Sequence, residues 1–311
     1  MYPGTEPCAP RAKPHPTVLE SHWETRIMPN PSIDREVVLE GRGRMPVRDI
    51  PGPRKAPAIL LLHGLGATGR LNWGPCFRPL SEHFRVLCID HRGHGRGLRT
   101  TRFQLEECAD DAVLVAEQLG VDRFVAVGYS MGGPIASLTW RRHRDRVAGL
   151  VLCATARHFA TRAMAGAARL VLPVVAEAAR LIPGPAHDRM LARMLARIEH
   201  PGLRERVESE LGGHTPATVL QAASAVAGFS SHDWIGRVDV PTAVIVTTRD
   251  ELVPPKRQRR LAESIDGATV YEVPGDHSAC IARADVFVPT LVQACHEVAV
   301  RADIASRSVS A

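Results

Sequence analysis

Gly128-Tyr129-Ser130-Met131-Gly132-Gly133 separates two segments of different periodicity. Arg123–Val127 before it reads as a buried strand, and Met131–His143 after it as an apolar-striped helix. A serine on so sharp a strand-to-helix turn is held in a strained backbone, where side chains two residues to either side would collide. Glycine at 128 and 132 removes both collisions and leaves the Ser130 hydroxyl exposed above the sheet. A serine that only caps a helix needs no such pair of glycines. The stretch therefore reads as a nucleophile on an α/β framework.

Working outward, short apolar runs alternate with helical patterns. Strands are expected at Ala58–Leu62, Arg85–Ile89, Val147–Cys153, Thr242–Val246 and Thr269–Val273. Helices are expected at Leu105–Leu119, Lys256–Ser264 and about Asp285–Val300. Strands buried on both faces and separated by helices make a mostly parallel, doubly wound sheet. Glu36–Leu39 and Met45–Ile50 flank a glycine-rich turn and suggest a leading hairpin.

Residues 154–237 interrupt this alternation. They contain no strand-like run and read as helices, with Arg162, Arg169 and Arg180 on one face opposite Met164, Ala167, Val171, Val175 and Ile182. A second stripe runs through 186–199. The expected organisation is thus a core of 36–153 and 238–311, a helical insertion at 154–237, and an arm at 1–35. Seven prolines in the arm argue against any regular element there.

A serine hydroxyl needs a base, and the base needs an orienting acid. Asp250 follows the strand Thr242–Val246, and His277 follows the strand Thr269–Val273. Both lie just past the carboxyl end of a parallel strand, as Ser130 does, so all three project from one edge of the sheet. That shared edge lets residues far apart in the chain converge. Glu251 beside the aspartate and Asp276 beside the histidine offer other carboxylates. Gly64-Leu65-Gly66-Ala67-Thr68-Gly69, with Asp90 after the next strand, has the form of a dinucleotide-binding turn. Two strands already precede it, however, and Gly74-Pro75 breaks the helix that should cap a phosphate.

In this order the motifs resemble those of the α/β-hydrolase-fold serine hydrolases, in the esterase- and lipase-like branch with a helical cap. The resemblance covers about residues 36–311. His63-Gly64-Leu65-Gly66 is similar to the family's HGxG turn, Asp90–Gly95 to its D-x-R-G-x-G turn, and Asp250 with Val253-Pro254 to its D-x-x-V-P loop, which favours Asp250 over its neighbours. The resemblance implies catalysis by Ser130, Asp250 and His277, with the backbone N–H groups of Leu65 and Met131 as the oxyanion hole. His63, Gly64, Gly66, Gly128 and Gly132 would support these motifs, and Trp73 and Tyr129 would line the pocket. It implies an insertion that roofs the site, a small-molecule ester substrate, and no metal or cofactor. Thioester hydrolysis, acyl transfer, C–C bond hydrolysis, perhydrolysis and a non-catalytic receptor share the fold and are not separated by spacing. Aspartate is the nucleophile in related epoxide hydrolases and dehalogenases, and Ser130 argues against that chemistry.

Composition narrows the field further. The 311 residues are 45% hydrophobic and 23% charged, which suits a globular chain with a large core. No apolar run approaches the roughly 20 residues of a membrane-spanning helix. No signal peptide is expected from MYPGTEPCAPRAKPHP, and a cytoplasmic location follows. Of the 39 basic residues only Lys13, Lys55 and Lys256 are lysines. The arginines are interleaved with acids and lack aromatic partners, so no nucleic-acid partner is expected; the runs at 141–146 and 256–260 read as solvated helix ends. Residues 155–200 are basic and amphipathic. Their apolar side chains suit a hydrophobic or lysolipid-type acyl group, and their basic face allows weak contact with an anionic membrane surface. Seven cysteines without a CxxC pair indicate neither a metal site nor a disulfide framework.

Overall fold

Eight stretches rich in β-branched and aliphatic residues pair into one sheet in the computed structural model. It describes residues 33–160 and 216–309, plus helical positions at 163, 166–168, 170–172 and 175. The arm before residue 33, and most of the helical stripes expected at 162–199, lie outside the described residues. Contacts part the chain into Met1–Asn30 and Pro31–Ala311, and every described residue belongs to the second unit.

The leading hairpin is β1 (Ile33–Leu39) against β2 (Gly43–Ile50), antiparallel, with Ile33 opposite Asp49 and Leu39 opposite Gly43. Residues 33–35 therefore belong to the sheet and not to the arm, whose boundary was drawn from prolines that end at Pro31. β2 is also antiparallel to β4 (Arg85–Ile89). The remaining strands are parallel: β3 (Ala58–Leu62), β5 (Phe124–Tyr129), β6 (Val147–Cys153), β7 (Thr242–Thr247) and β8 (Thr269–Val273). The order across the sheet is β1-β2-β4-β3-β5-β6-β7-β8.

Alternation along each strand feeds two cores. Leu60, Leu62, Leu87, Ala126, Leu150, Leu152, Val244 and Val246 point to one face. There they meet α3 (Leu105–Gln118), α4 (Gly132–Arg142) and α6 (Pro255–Ala262). Ile59, Leu61, Val86, Val125, Val127, Val151, Ala243 and Ile245 point to the other. That face is covered by α1 (Gly69–Trp73), α2 (Phe77–Ser81), α7 (Ala279–Ala282) and α8 (Ala284–Val309). α8 runs nine residues past its expected end at Val300, and Ala302 beyond that end is still buried.

β3 lies between β4 and β5, so the chain leaves β3 in one direction and, after β5, proceeds in the other. The carboxyl ends of β3 and β5 thus face each other across a topological switch point, where such sheets hold ligands. The insertion opens and closes beside this edge. His158 bridges Ser230, Ser231 N–H donates to the Arg157 carbonyl, and α5 (Pro216–Gly228) is the insertion's last described helix. Ala154, Trp234 and Ile235 still pack in the cores, so the strand pattern drew the limits 154 and 237 somewhat wide. Arg141 and Arg144 are more than solvated: their guanidiniums lie 4.8 Å and 4.5 Å from the Trp234 and Trp140 rings.

A part-buried ion cluster ties the hairpin to the core. Asp111, nearly inaccessible, accepts from Arg92 through both guanidinium arms at 2.8 Å and from Arg42 at 2.9 Å. Glu107 completes the cluster by accepting from both arginines at 3.0 Å. Removing the one nearly inaccessible carboxylate leaves two arginines to share the half-exposed Glu107, so Asp111→Ala should cost about 2–3 kcal/mol in a denaturant titration. Arg44→Ala, which breaks only the exposed pair with Glu36, should leave the midpoint unchanged.

Candidate active site

Ser130 adopts φ +51°, the left-handed region that a non-glycine residue enters at a cost. Its surroundings fix it there. Ser130 N–H donates to the Cys153 carbonyl at 2.9 Å, and the Ser130 carbonyl accepts from Gly133 N–H at 3.0 Å and Thr155 Oγ1 at 2.8 Å. The flanking glycines are required by space. A Cβ on Gly128 would lie 2.1 Å from the Gly132 carbonyl oxygen, and one on Gly132 would lie 2.1 Å from that of Leu62. The turn can be this tight only because neither residue has a side chain.

Three strand ends converge on the hydroxyl. His277 Nε2 lies 2.9 Å from Ser130 Oγ, and His277 Nδ1 lies 2.7 Å from Asp250 Oδ2. An ionised carboxylate can only accept, so Nδ1 carries the proton and Nε2 is left to accept from the serine. Asp250 is buried. Burial alone would raise its carboxyl, but the hydrogen bonds from His277, the Val253 N–H and the Thr247 hydroxyl outweigh it and hold the group below the usual range. Its Oδ1 accepts from Leu252 and Val253 N–H at 3.0 Å and 2.8 Å, and its Oδ2 from Thr247 Oγ1 at 2.8 Å. The neighbouring carboxylates are engaged elsewhere or exposed. Asp276 accepts from the N–H and hydroxyl of Ser278, and Glu251 faces solvent.

The His63–Gly66 turn abuts the nucleophile; a Cβ on Gly64 would lie 3.4 Å from Ser130 Cβ. Gly66, at φ +68°, needs glycine for its conformation. His63 Nε2 accepts from His91 N–H at 2.9 Å and its Nδ1–H donates to the Gly64 carbonyl at 2.7 Å, which makes His63 a neutral clamp. Among the described residues neither Leu65 N–H nor Met131 N–H has a protein acceptor. The dinucleotide reading fails locally. α1 is only five residues long, and both oxygens of Asp90 are taken, by the N–H groups of Gly69 at 2.7 Å and Arg96 at 2.8 Å.

Trp73 and Tyr129 do not line an open pocket. Trp73 is wholly buried and Tyr129 nearly so, edge to face at 6.0 Å in the core beneath the turn. Burial pushes the Tyr129 phenol up and keeps it a neutral donor, and its hydroxyl donates to the His277 carbonyl at 2.9 Å. Two participants were missed in the sequence. Gln258 is fully buried inside the basic run of α6, and its amide donates to Val253 O at 2.7 Å and to Asp250 Oδ2 at 3.3 Å. The signal was its place at i of an i, i+3, i+4, i+7 apolar face with Leu261, Ala262 and Ile265. Asn72, also buried, accepts from Gly64 N–H at 2.9 Å.

A family model described as the alpha/beta hydrolase fold matches residues 57–284. The chain is 30% identical over 246 residues to a pimeloyl-[acyl-carrier protein] methyl ester esterase of Chromobacterium violaceum, covering 77% of this chain and 94% of that protein. It is likewise 30% identical to a putative carbamate hydrolase RutD of Agrobacterium fabrum, covering 77% and 93%. Among solved structures, the enol-lactonase from Burkholderia xenovorans LB400 superposes with a TM-score of 0.64 at 27% identity, over 83% of this chain and 98% of that one.

Two stability measurements test this geometry. Glycine occupies the left-handed region freely and alanine does not, so Ser130→Gly should be more stable than Ser130→Ala by about 1 kcal/mol in urea. His91 is fully buried beside His63, with ring centroids 4.3 Å apart, and burial first, then the neighbouring imidazoles, hold it well below the ordinary value of 6.5. The unfolded chain therefore binds the proton that the folded chain refuses. Stability should be full above pH 6.5 and fall as the pH drops below it, and His91→Leu should flatten that slope in pH-dependent melting.

Proposed function

The chain belongs to the alpha/beta hydrolase fold family and is an esterase-type hydrolase, and from that premise we propose that it cleaves carboxylic esters through an acyl-enzyme on Ser130. The observation that carries this reading is the unbroken relay from Ser130 Oγ through the His277 ring to Asp250, at 2.9 Å and 2.7 Å. In the proposed reaction His277 Nε2 takes the hydroxyl proton as Oγ bonds to the acyl carbon. Asp250 stabilises the imidazolium without itself taking the proton. The carbonyl electrons move onto oxygen, where the N–H groups of Leu65 and Met131 receive the charge. The imidazolium then returns its proton to the departing alcohol as the ester C–O bond breaks. Water, activated by the same nitrogen, attacks the acyl carbon and frees the acid and Ser130.

The preferred acyl group in this proposal is hydrophobic. Leu65 and Leu252 stand exposed in the loops that carry the serine's neighbours and Asp250, and Leu170, Val171 and Val175 are exposed on the insertion's described helical positions. Exposed apolar side chains on the loops next to Ser130 and Asp250 fit an apolar substrate better than water. A reducing, cytoplasmic setting accords with the six described cysteines, all buried and free.

A p-nitrophenyl ester series from acetate to palmitate tests the proposal. Activity should rise with acyl length before falling, and Ser130→Ala should abolish it while the melting curve stays cooperative. Asp250→Asn should lower kcat by roughly four orders of magnitude, because the asparagine favours the wrong imidazole tautomer. A folded chain inert on every ester, or an active Ser130→Ala, rejects the mechanism.

A further inference from the structure

The short helix α1 is placed with unusual closeness. Thr68 caps it by accepting from Leu71 N–H at 3.1 Å, and Gly69 N–H is fixed on Asp90 at 2.7 Å. A Cβ on Gly69 would lie 2.5 Å from Cys88 Sγ and 3.1 Å from the Ile89 carbonyl oxygen, so the helix start lies flat against β4. This fixes Asn72 beneath the two loops at the switch point. Its Oδ1 accepts from Gly64 N–H at 2.9 Å, and its Nδ2 donates to Cys280 Sγ at 3.4 Å. Cys280 lies three residues beyond His277. Burial pushes its thiol up to about 12, so the sulfur stays a neutral acceptor.

Gly64 N–H is engaged below, whereas the next amide, that of Leu65, has no protein acceptor among the described residues. The peptide that carries the Leu65 N–H is held at its Gly64 carbonyl by His63 Nδ1–H at 2.7 Å and Ala67 N–H at 3.3 Å, and Asn72 fixes the peptide before it, so Gly64 is gripped on both sides. We propose that Asn72 is a positioning residue of the hydrolase: by holding Gly64 N–H it orients the Leu65 N–H toward the oxyanion, and by its second arm it keeps that turn in register with the loop of His277. The proposal rests on the serine-hydrolase reading above. It assigns Asn72 no contact with substrate. Its effect belongs to the transition state, where the oxyanion exists, and not to substrate binding.

Asn72→Ala tests this through quantities that a loss of packing alone would not separate. The expected result is a roughly hundredfold fall in kcat with KM within a factor of two, since a small misplacement of an aligned group costs that much. Affinity for an alkyl boronic acid, whose serine adduct carries the tetrahedral oxygen, should fall by the same factor. The pH profile of kcat/KM should not move. Equal kcat for Asn72→Ala and wild type overturns the proposal. So does a shifted pH profile, which would locate the effect at His277. If Asn72→Ala does not fold, amide exchange in the wild type decides. Gly64 should exchange slowly and Leu65 fast, with Leu65 slowed by the boronic acid; a Leu65 amide that the boronic acid leaves unchanged overturns the proposal. A wild-type chain that neither hydrolyses esters nor takes up the boronic acid overturns the hydrolase reading, and this inference with it.

Discussion

One residue held in the left-handed region organises the site. At φ +51° Ser130 turns the chain from β5 into α4 within a single step, and that turn exists only because Gly128 and Gly132 leave room for carbonyl oxygens where side chains would stand. The strain is held by hydrogen bonds on both sides of the serine: its N–H extends the β5–β6 pairing to Cys153, and Thr155 seizes its carbonyl. Strain of this kind persists only where the surroundings over-determine it. Here the surroundings are the centre of a sheet buried on both faces.

Each of the other loops at this edge is fixed by a buried or half-buried polar group bonding to backbone. Asn72 holds Gly64, His63 holds His91, Asp90 holds Gly69 and Arg96, Gln258 holds the Val253 carbonyl, and Tyr129 holds the His277 carbonyl. Loops so anchored lose little further freedom when a substrate arrives, which is how a site made of loops acquires the rigidity of the strands beneath it.

Most of the sheet was legible because its central strands are buried on both faces and read as continuous apolar runs. β3, β4 and β6 begin and end at the expected residues, and so does β8, a half-exposed edge strand of alternating pattern. β5 ran two residues past its expected end because Gly128 and Tyr129 read as part of the turn, yet they pair with Leu152 and Cys153. The sequence also pointed to Ser130, Asp250 and His277 through their shared position after strands, and the structure brings them within hydrogen-bonding reach. The supporting polar groups were hidden for a common reason. Asn72 binds the Gly64 N–H and a thiol 208 residues away, a pairing no local pattern displays, and the place of Gln258 on its helix's apolar face was masked by four basic neighbours. Trp73 and Tyr129 were read as pocket residues because aromatic side chains serve packing and binding alike, and only burial separates the two uses.

Gly93 carries a consequence for how this chain can change. A Cβ there would lie 2.0 Å from Thr218 Cγ2, and Gln221 on the same helix accepts from Phe103 N–H and donates to the Thr101 carbonyl. The insertion's last helix is thus keyed into main-chain atoms of the core, while its two ends are clasped at His158 and Ser230. The chain between that clasp and that key enters and leaves at fixed points. Any side chain at Gly93 would have to displace Thr218, so this position of the core can vary only if α5 moves with it.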